Sequence, residues 1–150
     1  MTNSYTSIYV HTIFSTHNRE PLLSSELRER LWAYMGGIAR ENKFKAISVG
    51  GVIDHAHMLI SIPASIAVAK AVQLIKGGSS KWLHENFGSL RKFAWQEGYG
   101  AFSVGASQVD EVVQYIAHQD AHHRLRSFQE EYLYFLKQYN IAYDERYVWG

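Results

Sequence analysis

The segment from Asp54 to Ile62 constrains the fold most, because its side chains alternate in character as those of a half-buried or buried strand do. In a strand, one face receives His55, His57, Leu59 and Ser61, and the other receives Ala56, Met58, Ile60 and Ile62. Two imidazoles two residues apart then lie side by side, and neutral imidazole is a common metal ligand. Two interpretations of the pair alone stay open: half of a metal coordination shell, or a polar patch on the sheet.

Length and composition predict a single globular domain spanning residues 1–150. A chain of 150 residues buries roughly two-thirds of the surface that it exposes when unfolded. Cysteine is absent, which excludes disulfides and thiolate metal sites and is typical of a reducing cytoplasm. We also find no signal peptide and no apolar run near the length of about 20 residues that spans a bilayer. The expected location is therefore cytoplasmic.

The charge balance argues against a protein that coats long DNA through bulk electrostatics. The formal net charge is +1, from 15 basic and 14 acidic side chains. Proteins that bind duplex DNA mainly through phosphates usually carry more positive charge, although a local basic groove stays compatible with this total. Aromatic residues make up 14% of the chain. They are interpreted either as core residues or as platforms on which unpaired bases stack.

The hydrophobic periodicity predicts elements in the order β-α-β-β-α-β, followed by further helices. The predicted strands are Tyr5 to Ser15, Lys45 to Val52, Val52 to Ile62 and Ala101 to Gly105. The predicted helices run from Ser24 or Ser25 to about Asn42, from Ile66 to about Glu85, from the segment 107–110 onward, and from Ser127 to about Tyr139. This order predicts an α+β fold that is ferredoxin-like and RRM-like: an antiparallel βαββαβ sheet with helices on one face, plus additional C-terminal helices.

Two features of these elements have both a functional and a structural interpretation. His11 interrupts the apolar pattern of the first strand, either as a residue that reaches a site or as a hydrogen-bonded histidine near the sheet surface. Gly77 and Gly78 fall inside the second helix, where each costs about 1 kcal/mol relative to alanine. Small residues flanked by Lys76 and Lys81 suit a phosphate backbone passing nearby, but a loosened helix with solvated lysines fits as well.

The third helix supplies residues that could complete a metal site. Tyr115, Gln119 and His122 share one helix face at i, i+4 and i+7. Two imidazoles with the Gln119 carbonyl oxygen suit Mg²⁺ or Mn²⁺, whose charge activates a phosphate. Tyr115 would then lie beside the metal, where a phenol attacking a phosphodiester conserves the bond energy as a phosphotyrosine. Taken alone, Tyr115 is equally an ordinary tyrosine of an amphipathic helix.

Together these motifs resemble the HUH single-tyrosine transposases of bacterial insertion sequences and the related REP-associated tyrosine transposases. The resemblance is carried by the triplet His55-Ala56-His57 and by Tyr115-x-x-x-Gln119. Further matching stretches follow along the chain: Phe14-Ser15-Thr16, Asn18-Arg19, Gly51-Val52-Ile53-Asp54, Lys76-Gly77-Gly78-Ser79-Ser80 and Tyr143-Asp144-Glu145-Arg146-Tyr147. One departure is the small Ala56 between the histidines, where the family carries a bulky apolar residue.

The resemblance implies an enzyme that cuts single-stranded DNA at hairpin-marked element ends, forms a 5′-phosphotyrosine and rejoins strands. It implies that Tyr115 is the nucleophile, and that His55, His57 and Gln119 hold the Mg²⁺ or Mn²⁺ ion. The DNA contacts expected with it are Arg19, Lys76, Ser79 and Lys81. Family members are commonly homodimers in which the tyrosine helix of one subunit completes the partner's site, so we expect a homodimer acting in trans, although the REP-associated relatives can be monomers.

Three histidines near the tyrosine, His118, His122 and His123, are not explained by the motifs; they are interpreted as surface residues, phosphate contacts or ligands of an extra metal. Two other functions stay open. A non-transposing module of the same fold would bind hairpins or single strands without cutting them. A structural metal-binding protein would retain its ion and leave DNA intact.

Overall fold

The computed structural model describes residues 4–119 and 126–150, which form one four-stranded sheet with helices packed against it. The strands are β1 (Tyr9–Ser15), β2 (Lys45–Gly51), β3 (His55–Ser61) and β4 (Gly100–Val104). The helices are α1 (Ser25–Glu41), α2 (Val68–Asn86), α3 (Val109–Ala117) and α4 (Phe128–Gln138). The strand order is β2-β3-β1-β4 with every neighbouring pair antiparallel, so the predicted ferredoxin-like α+β fold is confirmed.

One face of the sheet is covered by α1 and α2. It receives the even-numbered side chains of β1 and β3, because successive strand residues point to opposite faces. The apolar stripes of the two helices pack onto them, and the cluster includes Phe14, Leu31, Met35, Met58 and Ile75, each 2% exposed or less. Burial of this kind contributes about 25 cal/mol per Å² of apolar surface, so this face supplies most of the driving force for folding.

The opposite face of the sheet is covered by α3 and α4. Two smaller apolar clusters form there, one around Phe102 and Phe128 and one around Leu59 and Ile116. The histidines of β3 point into the same layer, between the two clusters. The two helices on either side of segment 120–125, α3 and α4, therefore both lie on the face that carries His55 and His57.

The helix ends show where local sequence signals were sufficient. Ser24 caps α1 by accepting a hydrogen bond from the Leu27 amide, and Ser127 begins α4 with a capping box to Glu130. The starts of α2 and α3 have no side-chain cap: α2 follows Ala67, and a 3₁₀ turn (Ala106–Gln108) precedes α3. Within residues 4–119 and 126–150, no helix combines the length and the apolar character that crossing a membrane requires.

Three glycines allow close approaches between elements of the fold. Gly51 ends β2 with φ of +154°, and a Cβ there would lie 2.2 Å from the His55 carbonyl oxygen, so the turn into β3 requires glycine. At Gly50 a Cβ would lie 2.8 Å from Ile116, which lets α3 pack directly on β2. Inside α2, Gly78 faces Ile38 of α1 at a similar distance, whereas Gly77 has open space around it.

Candidate active site

The two histidines of β3 converge on one carboxylate. His55 and His57 are 1% and 0% exposed. In the antiparallel pair of β3 with β1, they lie opposite Ser15 and Ile13. Their Nε2 atoms lie 3.2 Å and 3.0 Å from the same atom, Oε1 of Glu131. The period-two geometry of the strand thus holds both rings on one side, with their Nε2 nitrogens aimed at α4.

Glu131 is the residue of this site that the sequence interpretation missed. It lies in the first turns of α4 and is 3% exposed, although carboxylates are almost never buried without a partner. A signal for it was present. Glu131 falls three residues after Phe128 and one before Tyr132, on the apolar stripe of the helix. An acidic residue on an apolar stripe indicates a buried polar partner, here the histidine pair.

The candidate nucleophile and the predicted third ligand lie on the other side of the same carboxylate. The Tyr115 hydroxyl, near the end of α3, donates a hydrogen bond to Glu131 Oε2. Gln119, two residues beyond α3 and 2% exposed, places its Oε1 3.3 Å from His55 Nε2 and its Nε2 3.5 Å from Glu131 Oε2. The structure therefore brings together all four residues predicted from the motifs, around a fifth that was not.

Mutual charge and hydrogen bonding set the protonation of the histidine–carboxylate cluster. Burial alone would lower the pKa of His55, but hydrogen bonds to Asp54 and Glu131 and the charges of both carboxyl groups raise it to about 9. Burial alone would likewise raise the pKa of Glu131, yet the His57 charge and the bonds from both histidines hold it well below its usual range. Without a metal ion, the cluster is thus held by protons on the imidazoles.

The environment of Tyr115 keeps its phenol protonated. Burial raises its pKa well above the usual value, and the negative charge of Glu131 raises it further. A phenol is a weak nucleophile in this state. Its activation therefore depends on positive charge arriving at the cluster, such as that of a metal ion.

Each histidine of the pair has a separate partner on its far nitrogen. Nδ1 of His55 lies 2.7 Å from Asp54 Oδ1, and Nδ1 of His57 lies 2.8 Å from Nε2 of His11. Burial lowers the pKa of His11 to about 3, and the charge of His57 lowers it as well, so His11 is neutral at physiological pH. Such outer hydrogen bonds are the usual means of orienting ligand histidines.

The donor set fits a divalent metal ion. In the part of the chain that the structure describes, one group of three histidine, cysteine or acidic side chains has ligand atoms that all lie within 4.8 Å of one another. Its members are His55, His57 and Glu131. Neighbouring ligands of an octahedral ion held at about 2.1 Å lie about 3 Å apart, close to the separations found here. Carboxylate and amide oxygens suit Mg²⁺ and Mn²⁺, whereas imidazole nitrogen also suits ions such as Zn²⁺, so the donor set is compatible with several divalent ions. Binding requires that the ion displace the proton held on His55.

The residues predicted to contact DNA do not gather at this cluster. Lys76 donates to the carbonyl oxygens of Gln96, Glu97 and Gly98 at 2.6, 3.2 and 2.9 Å, and burial lowers its pKa to about 8. Ser79 is fully buried; its hydroxyl donates to the Ile75 carbonyl and accepts from the Trp95 indole. Both side chains therefore support the fold.

Arg19 and Lys81 keep exposed area. Arg19 lies in a 3₁₀ turn, 5.8 Å from the centre of the Trp149 ring, and Lys81 is a surface residue 3.9 Å from Glu85. DNA contact by Arg19, Lys76, Ser79 and Lys81 stays a prediction, and for Lys76 and Ser79 it would require exchanging the bonds described above.

Tyr115 is accessible from the surface of α3. It borders a shallow depression together with Asp110, Glu111, Gln114 and His118. His118 is exposed and its Nδ1 lies 2.7 Å from the Gln114 carbonyl oxygen, which accounts for it as a surface residue. His122 and His123 lie outside the described residues.

Comparison with known proteins relates most of the chain to transposases. The family model described as "Transposase IS200 like" matches residues 4–119. The transposase for insertion sequence element IS200 of Salmonella typhimurium is 29% identical over 115 residues, which cover 73% of this chain and 74% of that protein. The ISDra2 transposase TnpA of Deinococcus radiodurans is 26% identical over 85 residues, covering 57% of this chain and 61% of that protein.

Two solved structures share the fold. A crystal structure from Deinococcus radiodurans R1, assigned as a transposase, aligns with a TM-score of 0.66 at 21% identity and covers 79% of this chain and 95% of that one. A REP-associated tyrosine transposase bound to a REP hairpin aligns with a TM-score of 0.57 at 14% identity, covering 82% and 74%. Because the family model spans well over half of the sequence, the chain belongs to the IS200-like transposase family, whose members are DNA-cleaving enzymes.

Proposed function

We propose that the chain cuts and rejoins single-stranded DNA at hairpin-marked element ends through a 5′-phosphotyrosine on Tyr115. One observation carries the proposal: the Glu131 carboxylate lies against both candidate ligand histidines with one oxygen and accepts the Tyr115 hydroxyl with the other. A phenol held this close to a divalent-ion site would be placed to attack a phosphate whose charge such an ion would stabilise. The relative of the same fold that binds a REP hairpin supports the choice of substrate.

In the cleavage step, Tyr115 Oη forms a bond to phosphorus while the bond from phosphorus to the 3′ oxygen breaks. The phenolic proton passes to Glu131 Oε2, which already accepts its hydrogen bond, and the departing oxygen takes a proton from water. The raised pKa of Tyr115 and the lowered pKa of Glu131 keep the proton on the phenol until phosphorus is attacked. One phosphate ester replaces another, so a free 3′ hydroxyl can reverse the step on a new strand.

Mg²⁺ or Mn²⁺, held by His55, His57 and Glu131 with Gln119 as a further ligand, would stabilise the charge that develops on the phosphate oxygens. The chain's own contribution is positional. Strand β3 holds the imidazoles, and α3 holds the phenol. The carboxylate on α4 fixes the distance between them, so that an ion held there and the nucleophile would act on the same phosphate.

The test is formation of a covalent adduct. Labelled single strands carrying a hairpin are incubated with the protein and Mn²⁺ or Mg²⁺, then separated under denaturing conditions. We expect an adduct with the intact protein and none with Tyr115→Phe. The control is Tyr139→Phe, which removes a hydroxyl that donates to the Ser103 carbonyl oxygen and should leave adduct formation unchanged. An adduct with Tyr115→Phe would show that another residue is the nucleophile. A gel shift without adduct from the intact protein would favour a hairpin-binding module.

The expected homodimer acting in trans has its own test. Within one chain the Tyr115 ring lies 5.8 Å from the ring of the chain's own His57, so the same residues are available in cis. Mixing His57→Ala with Tyr115→Phe distinguishes the two arrangements, because only a site shared between subunits restores the adduct in the mixture. Recovery of activity would support the homodimer, and none would indicate that each chain uses its own tyrosine.

A further inference from the structure

His11 is a buried polar residue that the proposed reaction does not use directly. It lies in the middle of β1, on the sheet face that carries the ligand histidines, and is 3% exposed. Its Nε2 lies 2.8 Å from Nδ1 of His57, and the Phe135 ring packs edge-on against its imidazole at 5.2 Å. Burial of an imidazole is costly unless its polar atoms are paired, so loss of this hydrogen bond is expected to destabilise the folded protein.

The two ligand histidines are held by chemically different partners. Asp54 can only accept a hydrogen bond, so it fixes the proton of His55 on Nδ1 and leaves Nε2 for the site. His11 is a neutral imidazole, with one nitrogen that donates and one that accepts. It can therefore face His57 Nδ1 in either role, by carrying its own proton on one nitrogen or the other.

His57 needs this freedom, because its two nitrogens must exchange roles when an ion binds. In the structure Nε2 of His57 lies 3.0 Å from the ionised Glu131, which requires a proton on Nε2. With an ion on Nε2, that nitrogen must present its lone pair, and the ring then carries its proton on Nδ1. That proton needs an acceptor, and Nε2 of His11, which lies 2.8 Å from His57 Nδ1, can serve as one.

We propose that His11 is a positioning residue for the ion: it accepts the hydrogen bond of His57 Nδ1 and so directs the lone pair of His57 Nε2 toward Glu131. This inference rests on the proposed function, because it takes His57 to be an ion ligand. It assigns to His11 a role in ion affinity and none in contact with DNA or with the reacting phosphate.

The experiment measures Mn²⁺ affinity by calorimetry on the full chain without DNA. The amide of His11→Gln reaches about as far as Nε2 of the imidazole and can either donate or accept, so it should keep most of the affinity. His11→Asn is one methylene shorter and should weaken binding about 10- to 100-fold, the usual effect of losing an outer hydrogen bond to a ligand. His11→Met, similar in length but without a strong acceptor, should weaken it equally and serves if His11→Asn does not fold.

Thr12→Val is the matched control, since Thr12 is its neighbour on β1, is 1% exposed and faces the opposite side of the sheet. We expect its Mn²⁺ affinity to match that of the intact protein. A loss as large as that of His11→Asn would reduce the effect to general strand packing and overturn the inference. Equal affinities for the Gln, Asn and Met variants of His11 would overturn it too.

A second measurement reports the tautomer itself. Long-range ¹H–¹⁵N spectra of the Mg²⁺-loaded protein should show His57 protonated on Nδ1, in the intact chain and in His11→Gln. A loaded protein with His57 protonated on Nε2 would overturn the inference. Failure of the adduct assay while the Gln and Asn variants still differ in affinity would overturn the proposed function alone, whereas an intact protein that binds no Mn²⁺ would overturn both.

Discussion

The two faces of the sheet are buried to similar degrees but by different chemistry. The face under α1 and α2 is closed mainly by apolar side chains, and the hydroxyls of its buried Thr12 and Ser79 donate to backbone carbonyl oxygens. The face under α3 and α4 carries, between its two apolar clusters, five polar side chains of 3% exposure or less: His11, His55, His57, Gln119 and Glu131. One antiparallel sheet therefore separates the layer that drives folding from the layer that carries the chemistry.

The comparison shows how a small protein accommodates a polar interior. Unpaired polar groups would cost several kcal/mol each, but those on the α3–α4 face bond to one another. Such a network contributes little net stability, and its value lies in holding defined positions. Substitutions on the two faces should consequently change different measured quantities.

The largest change in stability is expected from Leu31→Ala, on the α1–α2 face. Leu31 is fully buried, and removing its side chain should lower the free energy of unfolding by about 2–5 kcal/mol. Denaturant unfolding measures the loss. Mn²⁺ affinity of the folded variant should stay unchanged, and a parallel drop in affinity would mean that the faces are not independent.

Glu131→Gln should produce the complementary result. Loss of the charge that both histidines contact should weaken Mn²⁺ binding about 100-fold, or about 2.7 kcal/mol. Glu130→Gln is the control, because Glu130 is its neighbour on α4 and bonds to the Ser127 amide instead. Calorimetry on both variants decides the matter; equal affinities would remove Glu131 from the ion site.

The pH dependence should come from the α3–α4 face. The pKa of His55 is raised from 6.5 to about 9, so its stabilising contribution is complete below pH 6.5 and is lost as the pH rises through 9. In the ion-free protein, the free energy of unfolding should fall over this range, by at most about 1.4 kcal/mol per pH unit. Unfolding in EDTA at several pH values measures it. Asp54→Asn should flatten the slope, and a rising slope in the intact chain would contradict the assignment.

The smallest effect, and one of opposite sign, is expected from Gly77→Ala in α2. Its Cβ would meet no atom within 4 Å, so alanine should raise the free energy of unfolding by about 0.4–1 kcal/mol through the unfolded state. Gly50→Ala is the informative contrast, since its Cβ would press on Ile116 of α3 and should destabilise the protein. Thermal unfolding of the pair compares open with occupied space.

The sequence predicted the sheet because strand and helix periods are local. Alternation along β3 placed His55 and His57 on one face, and the helix predicted from Ser24 or Ser25 to about Asn42 is α1 (Ser25–Glu41). Strand limits were less well predicted: β1 starts at Tyr9 rather than Tyr5, whose side chain is 92% exposed.

Residues that depend on distant partners could not be predicted from periodicity. The partners of Glu131 are histidines that precede it by 74 and 76 residues. The one local signal of its role was the presence of an acidic residue on an apolar helix stripe. Lys76 presented the same difficulty. The small residues between Lys76 and Lys81 suit a phosphate backbone, a contact that stays a prediction, and the sequence did not indicate that the Lys76 donors go to carbonyl oxygens of an irregular loop. A loop of this kind has no period to read.

The two oxygens of Glu131 have a consequence for precision. Both are bonded to one carbon. The distance between Oε1, which contacts the imidazoles, and Oε2, which accepts the phenol, is therefore fixed by covalent bonds and does not change when the helices move. Any displacement of α4 carries both contacts along together. In the proposed reaction, the distance between the ion and the nucleophile would therefore depend on one carboxylate group rather than on the relative positions of three backbone segments.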